Sequence, residues 1–347
     1  MTVHGERAVI PAVSGKAEAE KVLRRFTDGY NDAYRKLDPA LVDRVETGAP
    51  AEIARADLAA QRALTPGGNP GYPPLVLDDA RFTIPKMAGW PKFFVADTHS
   101  NRDQHRWLLV FTRADAGRPW KAAYLSLLNQ GSVPQFALDK DGYAQAVPAA
   151  AETNEAPLAV RPEALSTAYT DYLRSGAGNV FAPGTSTTQI RAERAKLART
   201  PTFWAEYIDT PEKAPGFPAP ALRTKDGGAL AFFTAHHRER RTAVAGVRPE
   251  ITDPRTKALL KGDLKQAVTY TRVSESAVTI PGKGPVVFLN RIESLTEARG
   301  SNRFVGNRSA GLGAPPSGSW GRVGTNRPPA SAPQAHLSAP QRPIGQG

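Results

Sequence analysis

The feature that most constrains the fold is the segment 106–128, which reads RWLLVFTRADAGRPWKAAYLSLL. Two runs rich in aliphatic and aromatic residues flank a short connection that contains glycine, and this composition is typical of a β-hairpin. Alternation places Trp107, Leu109 and Phe111 on one face of the first strand. Leu108 and Val110, on the other face, are apolar too, so both faces need cover. We expect a helix to cover one face and the other to line a pocket or form a contact surface.

Helical patterns precede strand patterns in the first half of the chain. Apolar residues recur every three or four positions from Val22 to Leu37, which predicts an amphipathic helix. Asp38 and Pro39 are suited to start a short second helix, and residues 50–64 form an alanine-rich third helical segment. From residue 74 onward the runs are strand-like. This order predicts an α+β domain with helices on one face of a bent antiparallel sheet.

The second half repeats this order of elements. A helix is predicted from Pro162 to a glycine stop at Gly176, and another over 188–199, before four strand-like runs. We therefore predict two tandem helix-then-antiparallel-sheet domains of the α+β class. A small, proline-containing stretch is suited to be a linker, and the terminal stretch is too rich in Gly, Pro and Ser to fold. The predicted division is a lead segment over 1–15, a first α+β domain over 16–147, a linker over 148–161, a second α+β domain over 162–299, and a disordered tail over 300–347.

Composition and charge argue against several classes of protein. No run of eighteen apolar residues predicts a transmembrane helix, and the first fourteen residues lack the apolar core of a signal peptide. The chain has no cysteine, which excludes disulfides and thiol nucleophiles. Its net charge of +12 includes +5 from the last stretch, and the body's basic residues are interspersed with acids. We therefore do not expect nucleic acid to be a partner.

Two polar clusters are candidates for acid–base or metal chemistry. Asp97, His99, Asp103 and His105 lie close together in sequence, but their spacing matches no ligand pattern, and a polar turn between strands is the simpler interpretation. His236 and His237 precede a run of charges that includes Glu239. Adjacent side chains of a strand point to opposite faces, so the two histidines are not expected to share an ion, and the charge run is interpreted as a solvated strand end. We predict no metal site.

Large aromatic side chains are the other candidates for a ligand pocket. Trp90, Trp107, Trp120 and Tyr124 could line one, although aromatic residues of a hairpin more commonly fill a core. The chain contains no GxGxxG, phosphate-binding loop, HExxH or GxSxG motif. The Gly-Lys-Gly of residues 282–284 fits a turn better than a phosphate site. We therefore predict no cofactor, and the sequence assigns no catalytic residue.

Three segments carry a resemblance to a known family. The start TVHGERAVIPAVS, the helix AEKVLRRFTDGYNDAYRKLD and the hairpin RWLLVFTRADAGRPWKAAYL resemble an uncharacterised family of actinobacterial envelope proteins, often lipoproteins, over residues 2 to 299. Each half also resembles the cystatin-like cone of nuclear-transport-factor-two-like proteins. The family resemblance implies a lipidated cysteine just before residue 2. This sequence has Met1 there and no cysteine, so the expected lipid anchor is missing from it.

From these observations we predict a non-enzymatic envelope or extracellular protein that binds a partner protein or a small apolar ligand. The resemblance implies this location, and contact with a membrane is expected only through the lipid anchor. The alternative is an enzyme that resembles the small isomerases and dehydratases of the cone fold. Such an enzyme needs an Asp with a His or Tyr inside a closed cavity, where burial raises the pKa of the carboxyl.

Overall fold

A computed structural model describes residues 8–149, 152 and 154–301 of this chain. The first half holds three helices and two sheets. Its helices are α1 (Lys16–Lys36), α2 (Pro39–Val42) and α3 (Gly48–Leu64). Its strands are β1 (Val9–Pro11), β2 (Leu77–Thr83), β3 (Pro85–Ala88), β4 (Lys92–Ser100), β5 (Arg106–Arg113), β6 (Lys121–Leu128) and β7 (Ala144–Gln145). Four of them form a sheet in the order β2-β4-β5-β6, and the short strands β1, β3 and β7 form a second, small sheet.

The second half is built around a larger sheet. Its helices are α4 (Leu165–Ser175), α5 (Ile190–Leu197) and α6 (Pro254–Ala258). Its strands are β8 (Phe203–Pro211), β9 (Ala221–Arg223), β10 (Ala229–Ala243), β11 (Leu260–Lys261), β12 (Ala267–Ile280) and β13 (Val287–Ser301). The sheet order is β11-β13-β12-β10-β8, with β9 also paired to β10. The long strands are antiparallel, so the predicted α+β class with helices before antiparallel sheets is confirmed in both halves.

Local signals for the helix ends agree with the structure. The Asp38 side chain accepts a hydrogen bond from the Ala40 N–H and so caps α2, with Pro39 as its first residue. Gly176 ends α4 in the left-handed conformation, at φ 68°, which glycine adopts without the cost that a Cβ would add. Helix α3 begins at Gly48, two residues earlier than the predicted 50–64.

The predicted hairpin of residues 106–128 is formed by β5 and β6, and its two faces pack against different elements. Leu109 and Phe111 pack against α1, where Phe26 lies 5.7 Å from Phe111 between ring centroids. Leu108 and Val110, on the opposite face, pack against the large sheet of the second half. The second face therefore forms a contact surface, which is one of the two roles that the sequence predicts for it.

That contact is a shared apolar core between the two halves. The first half contributes Phe93, Val95, Leu108 and Tyr124 to this core. The second half contributes Leu222, Leu230, Phe232 and Ala277, and all of these residues are buried. Tyr124 and Phe232 lie 5.8 Å apart between ring centroids. The outer face of the large sheet is covered by α4, through Leu165, Tyr169 and Leu173. Helices α1 and α4 thus lie on the outer sides of the two sheets, the sheets face each other, and α3 packs against β6, β12 and β13 where the halves meet.

The free edge of β6 is closed by the segment between α2 and α3 and by the other half of the molecule. Near its start, backbone hydrogen bonds link Ala122 with Val45 and Thr47. Farther along, the N–H groups of Leu125 and Leu127 donate to the side chains of Glu275 and Asn290, which belong to β12 and β13. An edge strand that is buried must satisfy its backbone donors, and these two side chains do so.

The structure bears on the predicted boundaries of the tail and of the linker. Gly300 and Ser301, assigned to the tail, pair with Val268 and Ala267 and so belong to β13; residues 302–347 lie outside the described part, as do 1–7. Within the expected linker, Glu155 is ion-paired to Arg161 and Arg223, so the described part of that stretch is packed against the second half. The division into two domains and the cone geometry stay predictions.

The shared core predicts a large effect from a single truncation. Phe232 is 0% exposed, and replacing it with Ala removes its contacts with both sheets. We expect Phe232→Ala to lower the free energy of unfolding by about 3 to 5 kcal/mol. Urea denaturation followed by circular dichroism measures this. Ile208→Ala, at a position on β8 that is 64% exposed, is the matched control and should change little. A loss below about 1 kcal/mol for Phe232→Ala would contradict the shared core.

Candidate functional site at the junction of the two halves

The first polar cluster singled out in the sequence does not form one site. Residues 101–105 are a turn, as predicted, and its neighbours are held separately. His99 Nδ1 lies 2.7 Å from Asp78 Oδ1, whereas Asp97 accepts a hydrogen bond from Arg106. Asp103 accepts the indole N–H of Trp107. The cluster therefore stabilises the strand ends and is not gathered around a common point.

The two adjacent histidines lie on opposite faces of β10, as predicted. His236 lies between Glu52 and Glu212, with 2.7 Å from each ring nitrogen to a carboxylate oxygen. Burial alone would lower the pKa of His236, but these hydrogen bonds outweigh it and raise that pKa. His237, on the other face, contacts Asp209 and Ser274.

The charge run that follows the histidines is not a solvated strand end, and that interpretation was wrong. Glu239 is only 5% exposed, and its carboxylate pairs with Arg241 and Arg272. Alternation along β10 explains this, because Glu239 shares the face of His237 and so turns into the molecule. The sequence of the run does not reveal this burial, because Arg272, the partner of Glu239 on the neighbouring strand, is distant in sequence.

The four aromatic residues predicted as pocket candidates differ in their burial and surroundings. Trp107, Trp120 and Tyr124 are buried and fill cores, which confirms the structural interpretation for these three. Trp90 is 40% exposed, beside the side chains of Lys92 and Arg113. Trp107 alone of the four also lines a small cavity with two buried acids in a largely apolar wall, which lies where the two halves meet.

This junction cavity has a volume of about 50 Å³. It lies between α1, the start of α3 and β6 on one side and β12 and β13 on the other. Of its lining residues only Tyr30, Leu125 and Ser294 are half-buried, and the rest are buried. The complete lining is Tyr30, Tyr34, Glu46, Pro50, Ile53, Ala54, Trp107, Leu125, Leu127, Glu275, Ile292 and Ser294.

Two tyrosines form its wall on the α1 side. Tyr30 and Tyr34 are four residues apart, so the helix places them on one face, one turn apart. Their ring centroids are 4.4 Å apart. Burial raises the pKa of the Tyr34 hydroxyl well above its usual range, so the group stays a neutral hydrogen-bonding phenol.

Glu46 is the first of two acids in the cavity. It lies in the segment between α2 and α3, which is fixed because Val45 and Thr47 hydrogen-bond to Ala122 of β6. Glu46 is 6% exposed, and its Oε2 atom has no hydrogen-bond partner among the described residues. Burial raises the pKa of this carboxyl well above its usual range, and the nearby acids Glu275 and Asp57 add to the effect.

Glu275 is the second acid, and it comes from the other half of the molecule. On β12 it shares a face with Val273 and Ala277, both 0% exposed, so alternation turns its side chain into the apolar junction. Its Oε1 atom accepts the N–H of Leu125. Burial raises the pKa of Glu275 to about 8, and this single hydrogen bond offsets only part of the shift.

Sequence reasoning missed both acids, although one of them left a signal. Within the strand AVTYTRVSESAVTI, the Ser-Glu-Ser of residues 274–276 is a polar island, and period-two alternation places its central residue on the apolar face. An acid at such a position is a departure that calls for a functional or structural reason. Glu46 gives no comparable signal, because it stands in a connection between helices where acids are common.

Chemically, the junction cavity offers acceptors and aromatic faces. Two carboxyls, two phenols and one indole line it, and no lysine or arginine does. Isolated buried carboxyls become neutral to avoid the cost of a buried charge, unless a cation compensates it. The arrangement can therefore hold a small group that donates several hydrogen bonds, above all a compact cation.

The fold and cavity define a protein of helix-flanked sheets with a small acidic site at their junction. A family model described as a domain of unknown function, DUF8094, matches residues 9–300 of this chain. This chain belongs to that family. Because the match runs through both halves, it includes both acids of the cavity.

Curated relatives agree with this membership and with the resemblance seen in the sequence. The chain is 46% identical to an uncharacterised lipoprotein of Streptomyces avermitilis, over 86% of this chain and 90% of the relative. It is 45% identical to an uncharacterised lipoprotein of Streptomyces coelicolor, with the same two coverages. No solved structure matches the chain. Among the described residues, no helix is long and apolar enough to span a membrane.

The raised pKa of Glu275 predicts a pH-dependent stability. Above its usual pKa of 4.5 the unfolded chain ionises this group, whereas the folded protein keeps it protonated up to about pH 8. The contribution is therefore fully present below pH 4.5 and is lost as pH rises towards 8, by at most about 1.4 kcal/mol per pH unit. Glu46, whose pKa is also raised by burial, adds a loss of the same sign.

We expect Glu275→Gln to flatten the fall of the unfolding free energy between pH 5 and 8, measured by urea titrations at each pH. Gln keeps an oxygen that accepts the Leu125 N–H, so the backbone contact survives. Glu20→Gln, on an exposed part of α1, is the matched control and should keep the wild-type slope. Equal slopes for wild type and Glu275→Gln would show that Glu275 is ionised in the folded protein.

Proposed function

We propose that this protein is an envelope protein that binds a small cationic ligand, through an ammonium group, in the junction cavity. The observation that carries the proposal is the Oε2 atom of Glu46, a buried acceptor without a partner among the described residues, in a cavity with a second acid. The relatives named as lipoproteins support an envelope location for this chain.

The match between cavity and ammonium group is chemical. An ammonium has three N–H donors, and the cavity presents carboxyl and phenol oxygens from opposite walls. The cavity also has aromatic faces, from Trp107, Tyr30 and Tyr34. Such faces attract cations by roughly 0.5 kcal/mol or more. Because the lining carries no basic side chain, a bound cation would be the counter-charge that the two acids lack.

The size of the cavity limits what enters. At about 50 Å³ it accommodates an ammonium or methylammonium group, whereas a larger ligand has to leave its remainder outside. Three lining residues, Tyr30, Leu125 and Ser294, are half-buried, and we expect such a remainder to lie beside them. This differs from the small apolar ligand expected from the sequence, since the cavity's chemistry favours a charged group.

The enzyme alternative stays a prediction, with one observation in its favour. A carboxyl with a pKa near 8, beside a tryptophan and two phenols, has the properties of a general acid or base. The acids are glutamates and not the expected aspartate, and the cavity lies between the halves and not inside one of them. Binding is the simpler function, because it needs only the contacts described above.

Thermal denaturation with methylammonium chloride tests the proposal. Binding requires ionised carboxylates, so we expect a saturable rise of Tm at pH 8.5 to 9, where methylammonium is still charged. At a concentration 100 times its Kd the stabilisation is about 2.7 kcal/mol. Lowering the pH to 6 should weaken it, because a proton then competes for each carboxylate.

Two controls distinguish the binding of methylammonium from a general effect of salt and from the binding of a neutral molecule of similar size. Sodium chloride at equal ionic strength and methanol at equal concentration should not produce the saturable rise. The double variant Glu46→Gln, Glu275→Gln should lose it, whereas Glu20→Gln should keep it. No saturable rise in the wild-type protein, or one that persists in the double variant, would overturn the proposal.

A further inference from the structure

Three side chains form a continuous hydrogen-bonded row across the large sheet. Asp209 lies on β8, His237 on β10 and Ser274 on β12, and the register places all three on the face opposite to Glu275. His237 Nδ1 is 2.6 Å from Asp209 Oδ1, and His237 Nε2 is 2.7 Å from Ser274 Oγ. These are the order of groups and the contacts by which serine hydrolases activate a hydroxyl.

The charges around Asp209 fix the histidine tautomer. Arg194 donates two hydrogen bonds to this carboxylate, at 2.7 and 2.8 Å. Burial alone would raise the pKa of Asp209, but hydrogen bonds from His237 and Arg194 lower it to about 2. An ionised Asp209 accepts the Nδ1–H of His237, which leaves the lone pair of Nε2 directed at the Ser274 hydroxyl.

A positive donor lies beside the same nitrogen. Arg291 Nη2 is 3.2 Å from His237 Nε2, and Arg291 pairs with Glu293. The side chain of Arg291 is 9% exposed, yet its Nε–H has no acceptor among the described residues. An arginine within hydrogen-bond distance of the nitrogen that faces Ser274 is suited to stabilise a negative oxygen that develops there.

We propose that Ser274 is the nucleophile of an acyl-transfer site that accepts small carboxylic esters. The Ser274 oxygen bonds to the ester carbonyl carbon while its proton passes to His237 Nε2, and the carbonyl oxygen becomes an anion near Arg291. When this intermediate collapses, the bond to the alkoxy group breaks and that group leaves as an alcohol with the proton from His237. Water then attacks the acyl-serine with the same proton transfers, which releases the acid and restores Ser274.

Burial sets limits on the substrate. Ser274 and His237 are 1% and 3% exposed, while Arg272 and Glu293 on the same face are half-buried. Because Ser274 and His237 are so deeply buried, we expect only small acyl groups to react and turnover to be slow. The site lies on the opposite face of β12 from the junction cavity, and it does not rest on the ammonium proposal.

The experiment incubates the full chain with p-nitrophenyl acetate, quenches it in acid and maps acetylated residues by peptide mass spectrometry. We expect an acetyl group on Ser274, and p-nitrophenol release that falls about 100-fold or more in Ser274→Ala and substantially in Asp209→Asn. Ser276→Ala is the matched control, since Ser276 is a buried serine two residues away on the same strand, and it should react like wild type.

The location of the acetyl group in the wild-type protein decides the matter even if a variant fails to fold, which circular dichroism would show. Acetylation confined to lysines or the N-terminus, or none at all, would overturn the proposal and leave the row as a buried hydrogen-bond network. If Ser274 is acetylated equally fast in wild type and in a folded Asp209→Asn variant, Asp209 does not help His237 to activate the Ser274 hydroxyl. This result would also overturn the proposed activation.

Discussion

The packing of two sheets against each other is the constraint on which the rest of the structure depends. Each sheet has apolar residues on both faces, so helices on the outer sides are not enough, and the inner faces bury each other. The hydrophobic effect drives this contact because it is roughly proportional to the apolar area removed from water. Every feature of the junction, including the closed edge of β6 and the cavity, exists because the two halves are brought together there.

The two buried acids have a cost that this packing must offset. A carboxyl transferred into an apolar interior either loses its charge or needs a compensating partner. Glu275 has one such partner in the Leu125 N–H, which gives it a structural role at the edge of β6. Glu46 has an oxygen without a partner among the described residues, so edge closure does not explain it. This difference between the acids is why we assign the cavity a ligand.

Much of the fold was predictable because its signals are local. The long strands β10, β12 and β13 lie close to the runs predicted for them, and Asp38 and Gly176 mark helix ends through their own chemistry. The site was not predictable in the same way. Glu46 and Glu275 are 229 positions apart, and the row of Asp209, His237 and Ser274 depends on cross-strand register, which periodicity alone does not give.

Contacts between residues distant in sequence also explain why the charge run on β10 was wrongly predicted to be solvated. The charge run after His237 was interpreted as solvated because its partner Arg272 lies on another strand, far away in sequence. The side chain of Glu155, in the predicted linker, is likewise paired with the distant Arg223. In both cases a residue that is polar in isolation is buried by a distant counter-charge, and composition cannot report such pairs.

The most direct test of a ligand site at the junction is a carbon-13 NMR titration of the glutamate side-chain carboxyls, with and without methylammonium. The account predicts that in the free protein Glu275 titrates near pH 8 and Glu46 titrates well above its usual range, as assigned by Glu46→Gln and Glu275→Gln, and that both midpoints fall when methylammonium is added. Carboxyls at both positions that titrate near 4.5, or midpoints that methylammonium leaves unchanged, would contradict it.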